Sequence, residues 1–189
     1  MGGPESTDLS HFATAMPAQV IVLNGGSSSG KTGIARCLQT VLAQTWIHLG
    51  VDDLVDALPA SGAGIEFGAQ GEVTVDERFR EVEAAWMTGV AAMVRAGARV
   101  ILDDVFLGGG ESQERTRANL DGLEVLWVGV HCDAAIAAGR ELARGDRAAG
   151  MAALQAEIVH RGVAYDIEVD TSHTEALDCA RTIAAALQG

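Results

Sequence analysis

Lys31 and Thr32 stand directly behind a run of small residues, Asn24-Gly25-Gly26-Ser27-Ser28-Ser29-Gly30. That order of residue types suits one chemistry, the holding of a chain of phosphates. The spacing is G-x-x-x-x-G-K-[ST], with Gly25, Gly30, Lys31 and Thr32 in the fixed places. Glycines let successive backbone N–H groups turn inward toward phosphate oxygens, and a helix starting at Lys31 adds its positive end. Lys31 is then expected to reach the β- and γ-phosphates, and the Thr32 hydroxyl to meet the Mg2+ ion that bridges them. Gly25, Gly26, Ser27, Ser28, Ser29, Gly30, Lys31 and Thr32 together form the expected nucleotide-binding loop. The guanine-reading pattern Asn-Lys-x-Asp does not occur, which favours ATP over GTP.

Moving a phosphoryl group to an alcohol also needs a carboxylate to align the hydroxyl and take its proton, with cations to balance charge on the transferred group. Two acidic pairs qualify, Asp52-Asp53 in "GVDDL" and Asp103-Asp104 in "ILDDVF". Asp52 is the candidate base. Asp103 closes an apolar run and is the candidate that orients magnesium through its water shell; whether Asp104 binds metal, acceptor or neither is left open. One member of each pair is expected only to cap the helix that follows, Asp53 foremost. Arg140, Arg144 and Arg147 in "GRELARGDRAAG" suit a lid that closes over the γ-phosphate, the alternative being surface ion pairs with Glu141 and Asp146. His48 reads as a packed or hydrogen-bonded structural residue and not as a base. Trp46 and Trp86 could line an aromatic acceptor pocket but at strand and helix spacing read as core, and His173 takes no role.

These residues need a scaffold that brings strand ends to one rim. Strands are expected at 19–23, 45–51, 99–106, 124–130 and near 166–170, alternating with helices at 31–43, 53–58, 76–98, 111–121, 133–143, 150–161 and 174–187. In the 76–98 helix the apolar face is expected to be Phe79, Val82, Trp86, Val90 and Met93. The glycine-rich stretch 59–75 interrupts the alternation and reads as an excursion over the sheet edge of the kind that covers substrates. Five strands alternating with helices imply a parallel sheet covered on both faces, an α/β three-layer fold of the P-loop kinase type with an arginine-bearing lid. In such sheets ligands collect at the carboxyl ends of the strands, where both acidic pairs fall.

The bulk properties set limits. A chain of 189 residues, 48% hydrophobic, has material for one buried core, so 18–189 reads as a single domain behind a flexible leader at 1–17. The formal net charge of −13 sets the surface field against polyanions and argues against nucleic acid as a partner, while a nucleotide needs only a few local donors. No apolar run is long enough for a bilayer and no basic, apolar signal opens the chain, so no membrane partner is expected. Cys37, Cys132 and Cys179 form neither a metal cluster nor a disulfide framework and read as reduced packing residues of a cytoplasmic protein. A homo-oligomer is left open.

The segments "VLNGGSSSGKT", "GVDDL", "GIEF", "VRAGARVILDDVFLGG", "VLWVGVHCD", "ARGDRAAGMA" and "YDIEVDTS" closely resemble the chloramphenicol phosphotransferase family, over most of the chain from about Val20 onward. The resemblance implies an ATP- and Mg2+-dependent O-phosphotransferase acting on a hydroxyl of a small antibiotic-like acceptor, with self-resistance in a producing organism as its setting. It places the family's base on Asp52 and the family's lid arginines on Arg144 and Arg147. Two other functions fit the residues: a metabolite or nucleoside kinase with the same chemistry and a different pocket, and a nucleotide-dependent regulatory ATPase.

Overall fold

In the computed structural model, described for residues 18–69, 71–144 and 150–187, the chain alternates as its apolar periodicity requires. The order is β1 (Val20–Asn24), α1 (Lys31–Val41), β2 (Trp46–Gly50), α2 (Val51–Asp56), β3 (Ile65–Phe67), β4 (Val73–Val75), α3 (Glu77–Arg95) and β5 (Arg99–Asp104). It continues through α4 (Gly110–Asn119), β6 (Val125–His131), α5 (Ala134–Arg144), α6 (Met151–Ile158), β7 (Ile167–Asp170) and α7 (Ala176–Ala186). Residues 1–17, read from sequence as a leader, lie outside the described residues.

Five strands form one parallel sheet in the order β2-β5-β1-β6-β7. β1 is central and fully buried, which explains its continuous apolar run. Alternation along each strand divides the core in two. Ile21, Leu23 and Ile101 pack with Ile34, Leu38, Cys179 and Ile183 of α1 and α7. Val20, Val22, Val100 and Leu102 pack with Met87, Val90 and Val94 of α3 and with Leu120 beyond α4. This is the α/β three-layer arrangement expected.

Three details depart from the sequence reading. The 59–75 stretch holds a two-stranded antiparallel hairpin, β3–β4, whose Ile65 packs with Leu54 and Phe79 in a third apolar cluster. Strands of three residues, set among glycines, carry too little periodicity to register. On α3 the buried stripe is Phe79, Met87, Val90, Ala91 and Val94, while Met93 is exposed. The stripe advances by three and four residues, and Met93 falls off its edge. Finally, α2 starts at Val51, so Asp53 is its third residue: the N-cap is Gly50, and the Asp53 carboxylate accepts from the Gly50 N–H at 2.6 Å.

Candidate active site

The phosphate-loop segment runs from the end of β1 to the start of α1. Gly25 is required by crowding, since a Cβ there would lie 2.5 Å from the backbone oxygen of Val130. Gly30 adopts φ 91°, where a side chain is strained, and caps α1 with no side-chain acceptor. The first N–H groups of α1 therefore face the loop with no side-chain cap, an arrangement suited to anion binding. Ser28 Oγ and Ser29 Oγ are buried with no hydrogen-bond partner among the described residues. Unmatched hydroxyls in a glycine-rich loop suit phosphate oxygens.

Lys31 is buried, its Nζ donating to the carbonyls of Gly25 at 2.8 Å and Gly26 at 2.9 Å and lying 3.7 Å from Asp103 Oδ1. Thr32 Oγ1 donates to Asp103 Oδ2 at 2.9 Å. His48 Nε2 is 3.5 Å from the same Asp103 oxygen, so the histidine read as structural from sequence sits against the acidic residue of the loop pocket. Burial works to raise the Asp103 pKa, but the Lys31 charge, aided by His48 and the Thr32 hydroxyl, holds it below the ordinary value. A deprotonated carboxylate beside a hydroxyl is a small set of hard oxygen donors. It fits Mg2+, which keeps most of its waters and takes few protein ligands beside substrate phosphates.

Asp103 and Asp104 are neighbours on β5 and fall on opposite faces of the sheet. Asp103 shares the α1 side with Ile101; Asp104 shares the α3 side with Leu102. There it lines an apolar cavity of about 370 Å³, walled by Leu54 of α2, Ile65 and Phe67 of the hairpin, Trp86 of α3 and Phe106 after β5. Asp104 Oδ1 accepts from the Val105 N–H at 2.7 Å. Burial, with the Glu83 and Asp103 charges, pushes its pKa up to about 6. Trp86, read as core, thus faces this cavity, whereas Trp46 is core as expected.

A second cavity of about 600 Å³ lies over the phosphate loop, lined by Ser27 to Gly33, His48, Asp52, Asp103 and Arg140. Val51, Asp52 and Val105 line both cavities, and Asp52 is the titratable residue common to the two among the described residues. It occupies the first turn of α2, held at the tip of β2.

The arginines divide. Arg140 donates through Nη1 to Thr171 Oγ1 at 3.1 Å and through Nη2 to the Thr171 carbonyl at 2.7 Å, and Thr171 Oγ1 donates to the Ser29 carbonyl at 2.7 Å. Arg140 thus braces the loop through Thr171 while lining the cavity above it. The Arg144 side chain and all of Arg147 lie outside the described residues. Glu141, considered from sequence for a surface ion pair, is buried and accepts from the Gly150 and Ala152 N–H groups at 2.8 and 2.9 Å, capping α6.

Two residues that sequence reasoning missed support the loop. Gln155, buried on α6, accepts from the Ser27 N–H at 2.8 Å and lines the apolar cavity as well. Its signal was a polar residue within the apolar stripe Met151, Ala152, Val159. Asn24 accepts from the Phe106 N–H at 2.9 Å and donates to the Val159 carbonyl at 2.8 Å and to Tyr165 Oη at 2.6 Å. One side chain therefore joins the root of the phosphate loop, the cavity wall and the end of α6. Behind it, Tyr165 and His160 Nδ1 pair at 2.6 Å, and the His160 ring stacks on His131 at 4.0 Å.

Comparison with known proteins follows this geometry. The family model described as chloramphenicol phosphotransferase-like protein matches residues 18–188. A curated protein of Mycobacterium tuberculosis, named as an O-phosphotransferase, is 31% identical over 191 residues, covering 93% of this chain and 84% of its own. Among solved structures, a sugar kinase from Janibacter superposes with a TM-score of 0.65 at 16% identity, covering 91% of this chain and 95% of its own. The tunicamycin resistance protein of Deinococcus radiodurans superposes with 0.64 at 19%, covering 89% and 94%. The APS kinase of Mycobacterium tuberculosis superposes with 0.63 at 15%, covering 92% and 99%. At such identities the structural likeness shows the fold, that of the P-loop kinases. Among the described residues no helix is long and apolar enough to cross a membrane.

Proposed function

The chain belongs to the chloramphenicol phosphotransferase-like family, a family of P-loop phosphotransferases, and from that premise we propose that it transfers the γ-phosphoryl group of ATP to a hydroxyl of a small, largely apolar acceptor, chloramphenicol or a related antibiotic. The observation that carries this reading is the position of Asp52 between the loop cavity and the apolar cavity. A carboxylate at that junction can reach a hydroxyl presented from one side to a phosphoryl group held on the other.

In this reading the loop amides, the Ser28 and Ser29 hydroxyls and Lys31 bind the triphosphate. Thr32 and Asp103 would hold a hydrated Mg2+ ion, which would supply positive charge to offset that of the phosphates. Asp52 aligns the acceptor hydroxyl and takes its proton as the alcohol oxygen bonds to the γ-phosphorus. The bond to the β,γ-bridging oxygen breaks in the same displacement, and ADP leaves with that oxygen. Arg144 and Arg147 would steady the transferred group from the lid. That the APS kinase of the same fold was solved in complex with AMPPNP and APS supports a nucleotide as one of the two ligands. The apolar lining, with Trp86, Phe67 and Phe106, supports an acceptor with an apolar body over a sugar-like one.

The test is ATP consumption across a panel of hydroxylated antibiotics and metabolites, with mass spectrometry for a product heavier by one phosphoryl group. Asp52→Asn should bind Mg·ATP nearly as the wild type does and lose turnover by roughly 100-fold or more. Near-normal turnover would remove Asp52 from the role of base, and ATP hydrolysis with no phosphorylated product from any alcohol would point to a regulatory ATPase.

A further inference from the structure

The apolar cavity contains one carboxyl group whose position the transfer reaction does not explain. Asp104 Oδ1 accepts from the Val105 N–H, and among the described residues this is its only hydrogen bond. Of the other charged groups lining the cavity, Arg80 pairs with Glu83 at 2.8 Å, Arg115 donates to Ser112 Oγ at 2.9 Å, and Asp52 stands at the junction with the loop cavity. Lys31 lies across the sheet, committed to the loop carbonyls and Asp103. Asp104 Oδ2 therefore has unused acceptor capacity in the wall of a cavity that Leu102, Trp86 and Phe106 also line.

An apolar ligand that covered this oxygen without offering a donor would strip it of water and return nothing. Leaving a buried acceptor unmatched costs about 1–3 kcal/mol, and more if it is charged. A ligand bearing a donor at that point avoids the cost. The same asymmetry makes hydrogen-bonding sites far more selective than apolar ones.

We propose that Asp104 is a specificity-determining residue of the acceptor cavity, accepting a hydrogen bond from a second donor group of the alcohol, such as an ammonium, hydroxyl or amide N–H, distinct from the hydroxyl that Asp52 aligns. This rests on the phosphotransferase reading above. It narrows the acceptor class to alcohols that combine an apolar body with two donor groups.

The experiment compares two alcohols of the same apolar body, 3-phenyl-1-propanol and 3-amino-3-phenyl-1-propanol, as acceptors for wild type, Asp104→Asn and Asp104→Ala, with product read by mass. Asp104→Asn retains an oxygen for the Val105 N–H, so its fold is kept, while the second oxygen becomes a donor. The wild type should prefer the amino alcohol by at least about tenfold in kcat/KM, and both variants should bring that ratio close to one with KM for Mg·ATP unchanged. A wild type without the preference, or variants that keep it, overturns the role of Asp104 while leaving the phosphotransferase intact. Product from neither alcohol while others of the wider panel react overturns it as well. Absence of phosphorylated product from every alcohol is instead the failure of the phosphotransferase reading, and the inference falls with it.

Discussion

Thr32 Oγ1 and Asp103 Oδ2 are joined by a 2.9 Å hydrogen bond across 71 positions of chain, at the point where the first turn of α1 meets the carboxyl end of β5. The parallel register Leu23↔Asp103 sets this meeting, because it brings the tip of β5 level with the exit of β1 into the loop. A hydroxyl and a carboxylate so placed can each turn an oxygen toward one hydrated cation. Asp103→Asn keeps the shape and removes the charge. It should lower the affinity for Mg2+ with ATP by about 10–100-fold, measured by calorimetry at several Mg2+ concentrations. An affinity independent of Mg2+ in the wild type would exclude the pair from metal binding.

Gln155 links α6 to the loop by one bond, from the Ser27 N–H to Oε1. Because the partner is an N–H donor, the amide oxygen must face the loop. Gln155→Leu leaves that buried amide unmatched, at a cost of about 1–3 kcal/mol. We expect a lower melting temperature and weaker Mg·ATP binding together, seen by thermal denaturation with and without nucleotide. A variant as stable as the wild type would mean that the Ser27 amide finds another acceptor.

Gly25 is crowded by the Val130 carbonyl of β6 as well as by Ser29 Oγ. The Val130 carbonyl cannot retreat without moving the sheet, so Gly25→Ala should destabilise by about 1–3 kcal/mol and displace the carbonyl that Lys31 Nζ uses. Denaturant melts and Mg·ATP titration check both effects. Gly97, where a Cβ would meet nothing within 4 Å, shows the contrast: its φ of 101° is the constraint there, not crowding.

Much of the site was visible in the chain because its signals are local. The loop motif occupies eight consecutive residues, and Asp52 and Asp103 follow apolar strands directly, so the rim position could be read from strand ends. The separation of the two "DD" side chains into different cavities could not be read so simply. It depends on which face of β5 each side chain takes, and hence on which helices cover which face, a property of the assembled sheet. The same holds for Gln155 and Asn24. Their partners are 128 and 135 residues away, and neither residue type announces a long-range role. The β3–β4 hairpin was hidden because its pairing and its packing on Phe79, not an alternating pattern, make it a sheet.

His160 provides a pH-dependent prediction away from the loop. Burial, with the charge of His131 stacked on it, lowers its pKa from 6.5 to about 4. The unfolded chain therefore binds this proton at a higher pH than the folded one, so stability is fully present above about pH 6.5 and declines as pH falls toward 4. The slope from this one group is at most about 1.4 kcal/mol per pH unit, and solvent at the exposed edge of the ring reduces it. Denaturant melts between pH 4 and 7 should show the decline, and His160→Gln should flatten it. The glutamine takes on no proton in that range and can still bond the Tyr165 hydroxyl that His160 Nδ1 now meets. An unchanged slope in the variant would assign the loss to other groups.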